Sequence, residues 1–365
     1  MPFMIHRGPR ALVVMPTSQP AVVQFDIKPH AVALREVPIP EIGDDDVLLA
    51  VGAVSVCGSD VHQAHGTHSW PVNVPVTLGH EFGGTIARLG RAVRGFREGD
   101  RVVSETAAVI CGACTMCRSG RYNLCPSRKG FGYGVDGAMA DYVRVPARCL
   151  HHVPAALAFD LACLTEPHAV AYNAMCMNVT IRPGDLVVVL GPGPIGLLCA
   201  RMAALSGAHP LVVVGLDADA PRLETARALG ATHVVNAQRE SLDEVVRGLD
   251  PLGADVVCDA SGSSRTFEAA LSVVRPSGAV VKVGWSPEQM AVNLNPLVQK
   301  NVQVQGSFSH NWPVWERVLH LIASGLTRAE LLVGLRTGLE NWRDAFDGMH
   351  EGRVIKSVLI PGKTA

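Results

Sequence analysis

Aromatic side chains are scarce in this chain, 5% of 365 residues, against 36 glycines. That balance points away from broad aromatic surfaces and toward close approaches of backbone. A surplus of either charge is also missing: 32 Lys and Arg face 33 Asp and Glu, a net charge of −1. Nothing in that balance neutralises a phosphate backbone, so nucleic acid is not an expected partner. Residues 1–10 lack the apolar block and small-residue cleavage site of a secretory leader. The longest apolar run, 186–200, is interrupted by Gly191, Pro192, Gly193 and Pro194 and is too short to span a bilayer. A soluble, cytoplasmic protein with no membrane partner is expected. The 48% hydrophobic content excludes a mainly disordered chain, and the length exceeds one ordinary core, which favours two domains.

Cysteine, by contrast, is plentiful, with 10 residues. In a long chain without a leader these do not read as a disulfide framework. Cys111, Cys114, Cys117 and Cys125 are bunched, with Gly112 and Gly120 available for tight turns. A Cys-x-x-Cys turn brings two thiolates to one side, and four such ligands close a tetrahedral structural zinc site. The thiols at 149, 163, 176, 199 and 258 lie among apolar neighbours and read as reduced core residues.

Residues 11 to about 165 read as short strands and loops, with β-like runs at 11–15, 47–54 and 101–103. From about residue 184 the texture changes. Strands at 186–190, 211–216, 233–235, 255–257, 279–283 and 302–305 alternate with helices at 195–206, 222–229, 242–249 and 267–274. That alternation implies right-handed crossovers and a parallel sheet. Helices at 314–323 and 342–349 and a strand at 354–359 follow, a tail expected to return to the first domain.

Gly191-Pro-Gly193-Pro-Ile195-Gly196 fits Gly-x-Gly-x-x-Gly, directly after a strand and opening a helix. The first glycine makes the turn, the second admits a pyrophosphate, and the third lets helix and strand pack closely. The helix N-terminus offers free N–H groups to the phosphates. Asp217, at the end of the next strand, can accept a ribose 2′-hydroxyl and repel a 2′-phosphate, which implies NAD.

Cys57-Gly-Ser59-Asp-Val-His62 and Gly79-His80-Glu81 supply a thiolate, an imidazole and a carboxylate, an open catalytic zinc set with room for water and substrate. Glu166, before Pro167, adds a carboxylate where the chain passes between domains. In this order the motifs resemble the zinc-containing medium-chain dehydrogenases, specifically the sorbitol and polyol dehydrogenase branch. The resemblance covers nearly the whole chain, from Ala11 to Pro361.

The resemblance implies an α/β protein: a GroES-like β catalytic domain (1–168 and 309–365) and a Rossmann doubly wound parallel-sheet domain (169–308). It implies a catalytic zinc on Cys57 and His80, completed by Glu81 and Glu166 directly or through water. A second, structural zinc sits on Cys111, Cys114, Cys117 and Cys125. NAD contacts are implied at Gly191, Gly193, Ile195, Gly196, Asp217, Arg222, Val283 and Ser307, and a homotetramer, sometimes a dimer, as the assembly. Two places depart from the family. Phe308-Ser309-His310 stands where sorbitol dehydrogenases carry Phe-Arg-Tyr, and His168 and Asn173 imply a different pocket wall.

The expected reaction is reversible oxidation of a secondary alcohol, a polyol or sugar alcohol, to a ketone. Zinc acidifies the substrate hydroxyl, Ser59 carries its proton toward His62 or water, and the nicotinamide takes the hydride. An amino-alcohol dehydrogenase acting on threonine and a tetritol dehydrogenase are the alternatives among enzymes. A nucleotide-binding protein without catalysis is the alternative outside them, and it leaves the catalytic ligand set without a use.

Overall fold

The computed structural model describes residues 16–286 and 288–362. The expected strand at 11–15 lies outside them. Six parallel strands form one sheet, in the spatial order His233–Asn236, Leu211–Gly215, Val187–Leu190, Ala254–Asp259, Val274–Lys282, Gln303–Gly306. Numbered along the chain that order is 3-2-1-4-5-6, the doubly wound arrangement that places a ligand crevice at the carboxyl ends of the central strands. The strand Val187–Leu190 is buried at every position, as a strand covered on both faces must be. Val187 and Val189 pack into one apolar cluster with Leu197 and Leu198. Val188 and Leu190 pack into a second, with Phe267 and Leu271 on the opposite face.

The other large sheet is mostly antiparallel. Its order is Val333–Thr337, Lys356–Leu359, Asp46–Ser55, Glu81–Leu89, Arg101–Ser104, Leu150–His152, with Tyr142–Pro146 also paired to Asp46–Ser55. A small three-stranded sheet joins Val32–Pro38, Ser18–Gln24 and Val76–Thr77. The tail therefore closes onto the first part of the chain: Val358 stands opposite Ser55, and Ser55 opposite Glu81. That register carries Lys356 to Glu81.

The sequence pattern does not foretell the helix Thr165–Tyr172 or its continuation as a π-helical turn, Asn173–Met177. Seven of its eight helical residues are small, apolar or buried polar groups without a clear polar face, so no amphipathic period marks it. The helix Trp312–Ala323 packs on it through Trp315 and Leu319. None of the ten cysteines is disulfide-bonded. Cys149, Cys163, Cys199 and Cys258 are buried, and burial pushes the Cys149 thiol up to about 12. Among the described residues no helix is long and apolar enough to cross a membrane.

Candidate active site

Two tight turns build the first cluster. Cys57 caps the helix Gly58–His65, and the Asp60 carboxylate accepts the Cys57 N–H at 2.9 Å. Gly79, at φ +95°, turns the chain into the strand Glu81–Leu89, and a Cβ there would lie 2.7 Å from Met139. Asp60 also accepts the Gly79 N–H at 3.4 Å and lies 3.6 Å from His80 Nδ1. One buried carboxylate thus ties both motifs and orients the imidazole, the arrangement that supports metal-bound histidines.

Ligand atoms of Cys57, His80 and Glu81 lie within 4.8 Å of one another. Glu81 is buried; its Oε2 accepts from Lys356 Nζ at 2.5 Å, while its Oε1 has no hydrogen-bond partner. Burial lowers the His80 pKa, but Asp60 and Cys57 outweigh it and raise it well above the ordinary value. An orphaned buried oxygen, a thiol and an imidazole surrounded by negative charge form a site that calls for a cation, and the donor set suits zinc.

Glu166 is outside that trio. It lines a cavity of about 640 Å³ together with Ser59 and His80. Its Oε1 is 3.0 Å from His310 Nε2, and His310 Nδ1 accepts the indole N–H of Trp315 at 2.6 Å. An indole nitrogen only donates. His310 therefore carries its proton on Nε2 and gives it to Glu166. Burial raises the Glu166 pKa, but the His310 hydrogen bond and the nearby charges of His310, His80 and Lys356 together outweigh it, so the carboxyl is held below the usual range.

The four-cysteine cluster stands apart on a lobe. Its sulfurs lie within 4.8 Å of one another, with Cys125 Sγ 3.6 Å and Cys117 Sγ 3.9 Å from Cys111 Sγ. Zinc–sulfur bonds of about 2.3 Å in a tetrahedron place sulfurs about 3.8 Å apart, so the cluster fits that ion. Backbone N–H groups of Cys114 and Ala113 draw the Cys111 thiol down to about 6, which favours thiolate.

The glycine turn has the geometry a dinucleotide needs. Gly191 has φ +96° and Gly193 caps the helix Pro194–Leu205 with open space where a Cβ would be. At Gly196 a Cβ would lie 1.8 Å from Gly191 O, so only glycine fits. Ile195 lies in the helix's first turn. Val283 and Ser307 line another cavity, which shares Val170, Trp285, Phe308 and Ser309 with the one holding Ser59, His80 and Glu166.

Asp217 follows the strand Leu211–Gly215 and accepts from Asn236 Nδ2 and Arg239 Nε, each at 2.6 Å. Those two hydrogen bonds hold its carboxyl below the usual range. Arg222 does not join it: its guanidinium donates to Asp219 at 3.4 Å. The cation beside Asp217 is Arg239, just beyond the strand His233–Asn236.

Ser59 and His62 part company. Ser59 Oγ is 3.5 Å from His80 Nε2. His62 instead meets Thr67 Oγ1 at 2.8 Å and lines a separate cavity with Ser261, Ser263 and Trp285. His168 does not reach the pocket; it is buried, bonds Leu164 O at 2.7 Å, and burial takes it down to about 4. Asn173 donates to Ser309 O at 2.9 Å and so clasps the loop that carries His310.

Sequence reasoning assigned no role to Asp60, Lys356 or Arg239, and noted His310 only as a departure. Asp60 had a local signal, its place three residues after Cys57 in a capping position. The others meet their partners through contacts distant in sequence, Lys356 by sheet register and His310 by the packing of a loop against the helix Thr165–Tyr172.

Two family models match the chain: an alcohol dehydrogenase GroES-like domain over residues 43–155 and a zinc-binding dehydrogenase over residues 194–324. A sorbitol dehydrogenase of Halalkalibacterium halodurans is 40% identical over 331 residues, covering 90% of this chain and 95% of that protein. A D-arabitol-phosphate dehydrogenase of Enterococcus avium is 36% identical over 329 residues, covering 90% and 93%. Among solved structures, a zinc-binding dehydrogenase of Sinorhizobium meliloti 1021 bound to NADP has a TM-score of 0.86 at 31% identity, covering 95% of this chain and 100% of that one.

Proposed function

The chain belongs to the zinc-containing medium-chain alcohol dehydrogenases, in their polyol branch, and from that premise we propose that it oxidises a secondary alcohol of a polyol to the ketone with NAD. The observation that carries this reading is the shared wall of two cavities. One holds Ser59, His80 and Glu166; the other holds Val283 and Ser307; Trp285 and Phe308 line both. A hydroxyl at the first can face a nicotinamide at the second.

Cys57 and His80, with Glu81 or Glu166 completing the set, would hold a zinc ion, which would supply the Lewis acidity that makes an alcohol hydroxyl easier to deprotonate. Hydride acceptance belongs to the nicotinamide. The chain's own residues position and deprotonate. Ser59 takes the alcohol proton; burial and the neighbouring His350, His65 and His68 keep the His62 pKa low, so its ring is available as a proton acceptor. From Ser59 the proton goes on toward His62 or a water chain, the two side chains lining different cavities. The second zinc belongs to Cys111, Cys114, Cys117 and Cys125.

NAD over NADP rests on Asp217, whose ionised carboxylate repels a 2′-phosphate. Arg239 opposes that preference, and the S. meliloti relative carries NADP. Asp217→Ser removes the repulsion and frees Arg239, so NADP activity should rise. Comparing kcat/KM for both cofactors in wild type and variant tests this; a wild type that already prefers NADP overturns it.

Ten free thiols suit a reducing compartment, which supports the cytoplasm. The exposed sheet edge at Gln303–Gly306 supports a homo-oligomer, a tetramer or a dimer. The deciding experiment follows NADH formation from a panel of polyols, tetritols included, simple secondary alcohols and threonine. His80→Ala should abolish turnover and leave NAD binding intact. Turnover of threonine alone, or one metal per chain held only by the quartet, would sink the reading.

A further inference from the structure

The cavity that holds Ser59, His80 and Glu166 also carries two cations, Arg128 and Lys129. Neither makes an ion pair with any carboxylate among the described residues. Glu166, the one acidic group on the cavity wall, is engaged by His310. Arg128 is fixed in place: it donates to Thr106 Oγ1 at 2.8 Å and to the Tyr133 hydroxyl, and its guanidinium lies 5.4 Å from the Phe308 ring centroid. Its Nε is buried with no hydrogen-bond partner. Lys129 is exposed at the rim.

A partly buried cation without a carboxylate partner is costly, and the two hydrogen-bond partners of Arg128, Thr106 and Tyr133, carry no charge. The dinucleotide's phosphates are expected at the Gly191–Gly196 turn, and neither cation lines the cavity of Val283 and Ser307 where the nicotinamide is proposed. Proton removal and hydride transfer have no use for either cation. A guanidinium held rigid by side bonds is the group best suited to grip phosphate or carboxylate, with a flexible ammonium beside it.

We propose that the substrate is an anionic polyol: its terminal phosphate or carboxylate binds Arg128 and Lys129 while a hydroxyl further along reaches the Cys57–His80 centre. The cavity, about 640 Å³, lies within the range of small-molecule sites and leaves room for a short sugar chain between the two ends. Trp70 and Trp285, with ring centroids 5.5 Å apart, supply an apolar wall along that span. The proposal rests on the dehydrogenase reading above and narrows its substrate.

The test uses the purified holoenzyme and matched substrates of one chain length: a neutral pentitol, its monophosphate, and the corresponding aldonate. The anionic substrate should exceed the neutral one in kcat/KM by about 10–100-fold, the scale of a hydrogen-bonded charge pair. Phosphate preferred over carboxylate, or the reverse, identifies the source of the charge. Arg128→Gln should collapse the anionic preference, raising KM more than it lowers kcat; Arg128→Lys should restore part of it. Lys129→Gln, at an exposed position, should reduce the preference even if Arg128→Gln fails to fold. A neutral substrate used as well as its anionic partners overturns the proposal and leaves the dehydrogenase reading standing. If no polyol in the series is oxidised, that reading falls, and inorganic phosphate titrated against tryptophan fluorescence decides the anion site. Saturable quenching that Lys129→Gln weakens supports it; its absence overturns it.

Discussion

At the scale of single residues, the site depends on a proton whose place is fixed by a neighbour. Trp315 donates to His310 Nδ1, so His310 must donate from Nε2 to Glu166. Glu166 then stays ionised and aimed across the cavity from one fixed direction. His310→Phe keeps an aromatic ring of similar size but leaves a buried carboxylate without its donor. Partners of this kind typically carry about 10–100-fold in metal affinity or activity. The Phe variant should lose kcat/KM on that scale and release zinc more readily to a competing chelator. His310→Gln, which retains an N–H donor, should recover much of both. A Phe variant with wild-type zinc affinity and wild-type turnover would show that Glu166 needs no such support.

At the scale of elements, the cysteine lobe is a brace for the segment that carries His310. Tyr122, within the lobe, donates to Glu105 at 2.7 Å and accepts the Trp312 N–H at 2.6 Å. Asn123 donates to Phe308 O and Asn311 to Gly120 O, each at 3.0 Å. Loss of the zinc proposed for the quartet would therefore loosen the segment that carries His310. Cys114→Ser should lower both Tm and kcat, whereas His80→Ala should lower kcat with little change in Tm; zinc content and thermal melts of the two variants separate them. The helix Gly58–His65 adds a pH dependence. His65 stacks on His350 of the helix Trp342–His350 at 4.1 Å, and burial with nearby histidines lowers the His62 pKa. A histidine depressed in the folded state binds more protons when unfolded, so its contribution to stability is lost as pH falls below about 6.5. The ring is half-exposed, and the effect should be modest. Urea midpoints measured from neutral to mildly acidic pH should fall less steeply in His62→Gln than in wild type. Legibility follows the same distances. The cysteine quartet and the glycine turn are local, so spacing alone exposed them. Lys356 reaches Glu81 across 275 positions and His310 reaches Glu166 across 144, contacts set by strand register and helix packing that no local pattern encodes. The helix Thr165–Tyr172 was equally hidden, because a helix buried nearly all round has no period to read.

At the scale of the whole molecule, the six-stranded sheet ends in a strand whose outer edge no other strand among the described residues covers. Gln303–Gly306 pairs with Val274–Lys282 on one side, and among the described residues no strand pairs with its other edge. Open edges carry unpaired N–H and C=O groups, and monomeric proteins blunt them with charge, proline or bulges. This one is decorated with apolar side chains instead: Val304 on the strand is exposed, and Val298, on the helix Asn295–Gln299 just before it, is 84% exposed with Leu294 beside it. A two-fold axis through such an edge would pair the strand with its own copy and cover these side chains in one self-complementary contact. The consequence is testable by mass. Val304→Lys with Val298→Glu places charge where the edges would meet, while both positions already face solvent in the isolated chain, so the fold should survive. Light scattering after size exclusion should show wild type as a dimer or tetramer and the double variant at half that mass or less, with an unchanged far-ultraviolet circular dichroism spectrum. Where the variant is monomeric, its Tm should also become independent of protein concentration, because no association is left to stabilise the fold by mass action. A double variant that keeps the wild-type mass would move the interface to another face and leave the edge strand to be explained by solvent alone.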